Sequence, residues 1–122
     1  MKRHILAIFG LAAVAACTGS MGYTATELTD RDREMQARAF RENLADPLGT
    51  QVEAVQVFAA PNGNRMICGK VNAKNAFGGY IGFQTFEVVT AGGYDYSKPG
   101  LRPIFATGAT ASLDCAGAGY SG

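Results

Sequence analysis

Apolar residues fall into three different rhythms along this chain. Residues 5–16 form an uncharged, largely apolar run behind a cationic start, Met1-Lys2-Arg3-His4. As a helix the run reaches only about 18 Å, against about 30 Å of bilayer hydrocarbon, so it is too short to span and fits a secretory signal over residues 1–16. A second rhythm follows residue 29, where Ala37, Phe40 and Leu44 share one helical face while Arg31, Glu34, Arg38 and Glu42 serve the water side. Thr29-Asp30-Arg31-Asp32 supplies a hydroxyl cap and acids for the positive end of the helix dipole, and Asp46-Pro47 supplies the stop. The third rhythm is alternation. Val55, Val57 and Ala59 fall on one side of a strand that Glu53 and Gln56 interrupt. Pro61-Asn62-Gly63-Asn64 is a hairpin turn, and in residues 65–73 Ile67, Gly69, Val71 and Ala73 point one way, Met66, Cys68, Lys70 and Asn72 the other.

Residues 80–89 make a further strand with apolar side chains on both faces, Tyr80 and Phe86 against Ile81, Phe83 and Val89, which predicts a central position in its sheet. Gly82 within it predicts a bulge or a close backbone approach. After a glycine, tyrosine and proline loop, residues 101–107 are expected as an edge strand, because Pro103 has no N–H to donate. Residues 108–122 are mostly small and are expected to form a loose tail pinned at Cys115, and residues 18–28 a flexible spacer spanning roughly 18 Å. The fold class expected is α+β: an N-terminal helix packed on a small, mainly antiparallel sheet of about four strands. The domain plan is a signal at 1–16, an anchor cysteine and tether at 17–28, and one small domain at 29–122.

A chain of 122 residues is the size of a single domain. Without Lys2 and Arg3 its 11 basic residues fall to one fewer than its 10 acidic ones, so no basic stripe exists to displace the counterions of a nucleic acid. The single histidine, His4, belongs to the leader, which removes imidazole as a general base or metal ligand from the remainder. Neither Gly78-Gly79 nor Gly92-Gly93 opens into a phosphate loop, and Ser97 and Ser112 have no evident base. Asp95 and Asp114 are isolated along the chain and define no acid pair. No catalytic residue, metal site or cofactor is expected.

The apolar run ends in Val14-Ala15-Ala16-Cys17, which resembles the lipobox of bacterial lipoprotein precursors at all four positions. The resemblance implies cleavage before Cys17, a lipid thioether on its sulfur and an acylated amino group, hence a stable membrane anchor. Thr18 after the cysteine implies sorting to the outer membrane rather than retention at the inner one, and the address expected is its periplasmic face. The alternative is ordinary signal-peptidase cleavage after Ala15, leaving Cys17 a free thiol. With Cys17 lipidated, Cys68 and Cys115 remain as an even pair in an oxidising compartment, and a structural disulfide between them is expected.

Residues 68–83 resemble a motif of small proteobacterial secreted proteins and lipoproteins, Cys-Gly-x-Val-Asn-x-Lys-Asn-x-x-Gly-Gly-Tyr-x-Gly-aromatic. It is matched by Cys68, Gly69, Val71, Asn72, Lys74, Asn75, Gly78, Gly79, Tyr80, Gly82 and Phe83, and it brings no known activity with it. Asn72, Lys74, Asn75, Phe77 and Tyr80 form the candidate binding surface, two amides and an ammonium beside two rings. The competing account is structural: Asn75, Gly78 and Gly79 satisfy a tight turn while Asn72 and Tyr80 hydrogen-bond within the fold. The function expected is a non-catalytic, lipid-anchored envelope module with an envelope protein or glycan as partner. The alternative is a small hydrolase with carboxylate chemistry.

Overall fold

Five antiparallel strands follow one another in the sheet in chain order, with one helix on each face. The computed structural model describes residues 22–122; the leader, Cys17 and residues 18–21 lie outside them. Strand β1 is Thr24–Thr26, helix α1 Asp30–Asn43, β2 Gln51–Ala59, β3 Arg65–Lys74, β4 Tyr80–Thr90, β5 Ile104–Thr107 and helix α2 Ala109–Ala118. The sheet order β1-β2-β3-β4-β5 is a pure meander, in which each strand is joined to its neighbour without crossing the sheet.

Helix α1 starts where its cap dictates. The Thr29 hydroxyl accepts from the Asp32 N–H, and the Asp32 carboxylate accepts from the Thr29 N–H at 2.8 Å, a reciprocal box that satisfies two free donors. Asp32 also receives Arg65 from the start of β3, Nε at 2.8 Å and Nη2 at 2.7 Å, so the same carboxylate caps the helix and fastens it to the sheet. Burial acts to raise its pKa, but the Arg65 and Thr29 hydrogen bonds outweigh this and hold it below the usual carboxylate range. Replacing Asp32 with alanine should destabilise the fold by about 2–3 kcal/mol, the buried-pair figure discounted because Arg65 keeps some contact with water. Since the folded-state pKa is lowered, the stabilisation is present above the ordinary carboxylate range and lost as pH falls through the lowered value. Urea titrations of wild type and Asp32→Ala should therefore converge in acid; a constant gap down to pH 2 would contradict this account.

The face under α1 is built from Phe40 and Ala39 on the helix with Val57, Ile67, Val71, Phe86 and Val88 on the sheet. Phe86 lies across Gly69 so closely that a Cβ there would sit 2.5 Å from its ring, which explains a glycine in the middle of the central strand. The other face carries Phe58, Met66 and Cys68 beneath Cys115 and Ala118 of α2. Cys68 and Cys115 form the expected disulfide, with Cα atoms 5.9 Å apart.

Two expectations need correction. Residues 108–122 are not a loose tail, because most of them form α2, whose buried positions Ala111, Cys115 and Ala118 recur at helical spacing. Their small side chains bring the helix close to the sheet, where it becomes a second covering layer. The sheet has five strands rather than about four: β1 falls inside the stretch read as spacer and pairs Thr24 with Ala59 and Thr26 with Val57. The strand apolar on both faces, β4, is interior to the sheet as expected, between β3 and β5, with Phe86 and Val88 buried under α1 and Glu87 under α2. Only the first residues of β4, Tyr80 to Phe83, are exposed.

The expected bulge at Gly82 is present. Asn72 faces Phe83 and Lys74 faces Tyr80, so β4 carries one extra residue here, with Gly82 at φ 96°. A second bulge in β2, between Glu53 and Gln56, holds Ala54 at φ 53°, a left-handed conformation uncommon for alanine. Beyond it β1 ends, and residues 51–56 of β2 have a strand on one side only. The Tyr120 hydroxyl donates to the Ala54 carbonyl at 2.8 Å, and the Ser121 N–H to Gln56 Oε1, so the chain end lies against this edge.

Candidate functional site

The sequence-derived surface divides into spent polar groups and free apolar ones. Asn75 Oδ1 accepts from the N–H groups of Phe77 and Gly79, both at 3.0 Å, and so closes the β3–β4 turn. Asn72 donates to Gln51 Oε1 and accepts the Gly82 N–H at 2.9 Å, which fixes the bulge. The Tyr80 hydroxyl donates to the Gly49 carbonyl at 2.8 Å, and Lys74 lies over the Tyr80 ring and 3.5 Å from Asp46. Tyr80 and Lys74 thus tie the sheet end to the loop after α1, while Asn75 and Asn72 hold the turn and the bulge. Phe77 has no such employment and is 97% exposed at the turn. Leu48 is fully exposed in the loop that Tyr80 grips, and Ile81 and Phe83 are about half exposed on β4. The end of the sheet is therefore apolar, and its amides serve the backbone.

The opposite end holds a site that sequence reasoning missed. Glu87 is 3% exposed, pairs with Cys68 across the ladder and projects onto the face that α2 covers. Its Oε2 is buried with no hydrogen-bond donor among the described residues. The Asp114 carboxyl of α2 lies at hydrogen-bonding distance, and burial first, then Asp114, pushes the Glu87 pKa up to about 7. Tyr23, just ahead of β1, completes the group: burial raises its pKa, a hydrogen bond from Asn64 opposes this, and the two acids add to the rise. Asn64 in turn is held by the Gly92 N–H at 2.8 Å. These residues line a cleft of about 350 Å³ between α2 and the sheet. Asp114, isolated along the sequence, thus acquires a carboxyl partner through the packing of α2. The signal available beforehand was Glu87 itself, an acid between Phe86 and Val88 in a strand otherwise apolar there.

Among the described residues no cluster of three or more His, Cys, Asp or Glu side chains is placed to hold a metal. Among the same residues, no helix is long and apolar enough to cross a membrane. No protein-family model, curated protein or solved structure matches the chain. The functional reading therefore rests on the residues and their arrangement.

Proposed function

We propose that this chain is a lipid-anchored, non-catalytic binding or accessory module of the cell envelope, which presents the apolar end of its sheet to a protein partner. The observation that carries the reading is the exposure of Phe77 and Leu48, with Ile81 and Phe83 beside them, at one end of a rigid meander. Gly22, where the described chain begins, packs against Pro61 beside the β2–β3 turn, at the other end. At about 3.3 Å per residue, the ten residues of β3 separate the two ends by roughly 33 Å. A lipid on Cys17 would enter at the Pro61 end, leaving the apolar end distal to the anchor. A protein surface fits better than a glycan, since Asn72 and Asn75, the amides a sugar would need, are taken up by the fold.

The alternative, a hydrolase using two carboxyls, gains a pair in Glu87 and Asp114. Glycoside cleavage by paired carboxyls, however, uses separations of about 5 Å or more, and these two lie within hydrogen-bonding distance. The geometry favours binding.

The test is a photo-cross-linker placed at Ile81 in otherwise native protein in intact envelopes. A discrete adduct is expected, retained in Phe77→Leu and lost in Phe77→Asp, whose stability should stay within about 0.5 kcal/mol of wild type because the side chain touches nothing in the fold. Adducts indifferent to Phe77→Asp would refute the apolar end as the contact. Intact mass of protein extracted from its host tests the anchor separately, with a lipid thioether expected on Cys17 and absent in Cys17→Ala.

A further inference from the structure

Two carboxyl groups face one cleft, one at its floor and one at its mouth, and among the described residues no cation answers them. Glu87 is the floor, buried and with Oε2 lacking a donor among the same residues; Asp114, exposed on α2, is the mouth. Neither forms an ion pair within 4 Å among the described residues, where the salt bridges are Arg33 with Asp30, Arg38 with Glu42, Arg65 with Asp32 and Lys74 with Asp46. Lys70 shares the sheet face with Glu87, but its ammonium is engaged by the Thr85 hydroxyl at 2.8 Å and lies over the Tyr120 ring. A desolvated carboxylate without a counter-charge is costly by several kcal/mol, so such a group takes up a proton or admits a cation from outside.

We propose that the cleft between α2 and the β3–β4 face binds a protonated alkyl amine, its ammonium against the paired Glu87 and Asp114 carboxyls and its aliphatic stem along Met66 and Val89. The lining decides the class of cation. Two carboxyls would leave most of a metal ion's shell to water, which the apolar walls of this cleft disfavour, and no third acidic or imidazole group joins them among the described residues. Apolar walls beneath a charged head instead match the division of a lysine side chain or an aliphatic diamine into greasy stem and polar tip. Tyr23 adds a ring beside the acids, a surface that attracts ammonium groups. The volume of about 350 Å³ is at the small end of ligand pockets.

Proton and amine compete for the same position. Asp114 from α2 and Tyr23 from the segment before β1 are the titratable groups that face Glu87. Its ladder partner on β3 is the oxidised Cys68 and that on β5 is Ala106, neither of which titrates. With the Glu87 proton leaving near pH 7, amine affinity should fall about tenfold for each pH unit below that value.

The experiment uses the folded protein with two probes, 1,5-diaminopentane and Nα-acetyl-lysine methylamide, followed by NMR of the Glu87 carboxyl carbon and the Gly117 and Ala118 amides. Saturable shifts at pH 8 are expected for at least one probe, weakened tenfold or more at pH 6 and in Glu87→Gln or Asp114→Asn, and absent with 1-pentanol. Tighter binding of the diamine would identify a free amine as the natural occupant, and tighter binding of the lysine derivative a side chain presented by a protein. Glu87→Gln is expected to fold well, since a neutral amide replaces a disfavoured charge, so loss of binding there reports the site. Absence of saturable shifts with either probe at pH 8, or equal affinity in wild type and Glu87→Gln, would overturn the proposal. Neither result bears on the Phe77 cross-link, which reports the other end of the sheet.

Discussion

Replacing both Cys68 and Cys115 with alanine should lower the unfolding free energy by about 4 kcal/mol, the chain-entropy value for a loop closed across a separation of 47 residues. For a domain of this size that is a large share of the whole. The loss should fall unevenly. Helix α2 has glycine at its N-cap with no side-chain hydrogen bond there, and its buried side chains are two alanines and the cysteine itself, so apolar burial alone holds it weakly. The meander and α1 share a separate core of Phe40, Val57, Ile67, Phe86 and Val88. Hydrogen exchange of the double-alanine protein should therefore show α2 amides exchanging fast while β3 and β4 keep much of their protection. Uniform loss across both faces would contradict that division, and an unchanged urea midpoint would remove the disulfide as a source of stability.

Glu87 should make the protein more stable in mild acid than above neutrality. Its folded-state pKa is raised from an ordinary value near 4.5 to about 7, so between those limits the folded form holds a proton that the unfolded form releases. Stability is then fully present below about pH 4.5, declines as pH rises, and levels off above about pH 7. At 1.36 kcal/mol per pH unit the span amounts to about 3 kcal/mol. Glu87→Gln should erase this slope and gain most of that amount at pH 8, because its amide donates to the Asp114 carboxylate without needing a proton. Urea midpoints from pH 4.5 to 8 on dialysed protein measure it, and parallel curves for the two proteins would show that the buried carboxyl does not titrate in this range. Asp32 acts in the opposite direction at lower pH, so the two acids together predict a stability maximum in mild acid.

How much of this was legible beforehand depended on how local each signal was. Thr29, Asp32 and Pro47 mark the ends of α1 within a few residues of where they act, and residues 61–64 specify their hairpin by turn chemistry alone. Alternation in β3 placed Ile67 and Val71 on one face and Met66 and Cys68 on the other, as the two cores confirm. Helix α2 escaped notice because Ala111, Cys115 and Ala118 carry a helical period in side chains too small to register as apolar anchors. Strand β1 has three exposed residues and no pattern to read. At the candidate sites, residue types were visible but their occupations were not. Asn72 and Asn75 look alike as free amides or as turn ligatures until the turn is drawn, and the approach of Asp114 to Glu87 requires α2 to be laid over β4.

One consequence follows from the kinked margin of β2. A straight, unguarded ribbon of amides invites a second molecule to continue the sheet, and self-templated stacking begins that way. Here Ala54 twists the margin out of line and Tyr120 occupies its carbonyl. Molecules crowded side by side on a common support would find no ready seam along this margin, and a filament would have to nucleate elsewhere on the sheet.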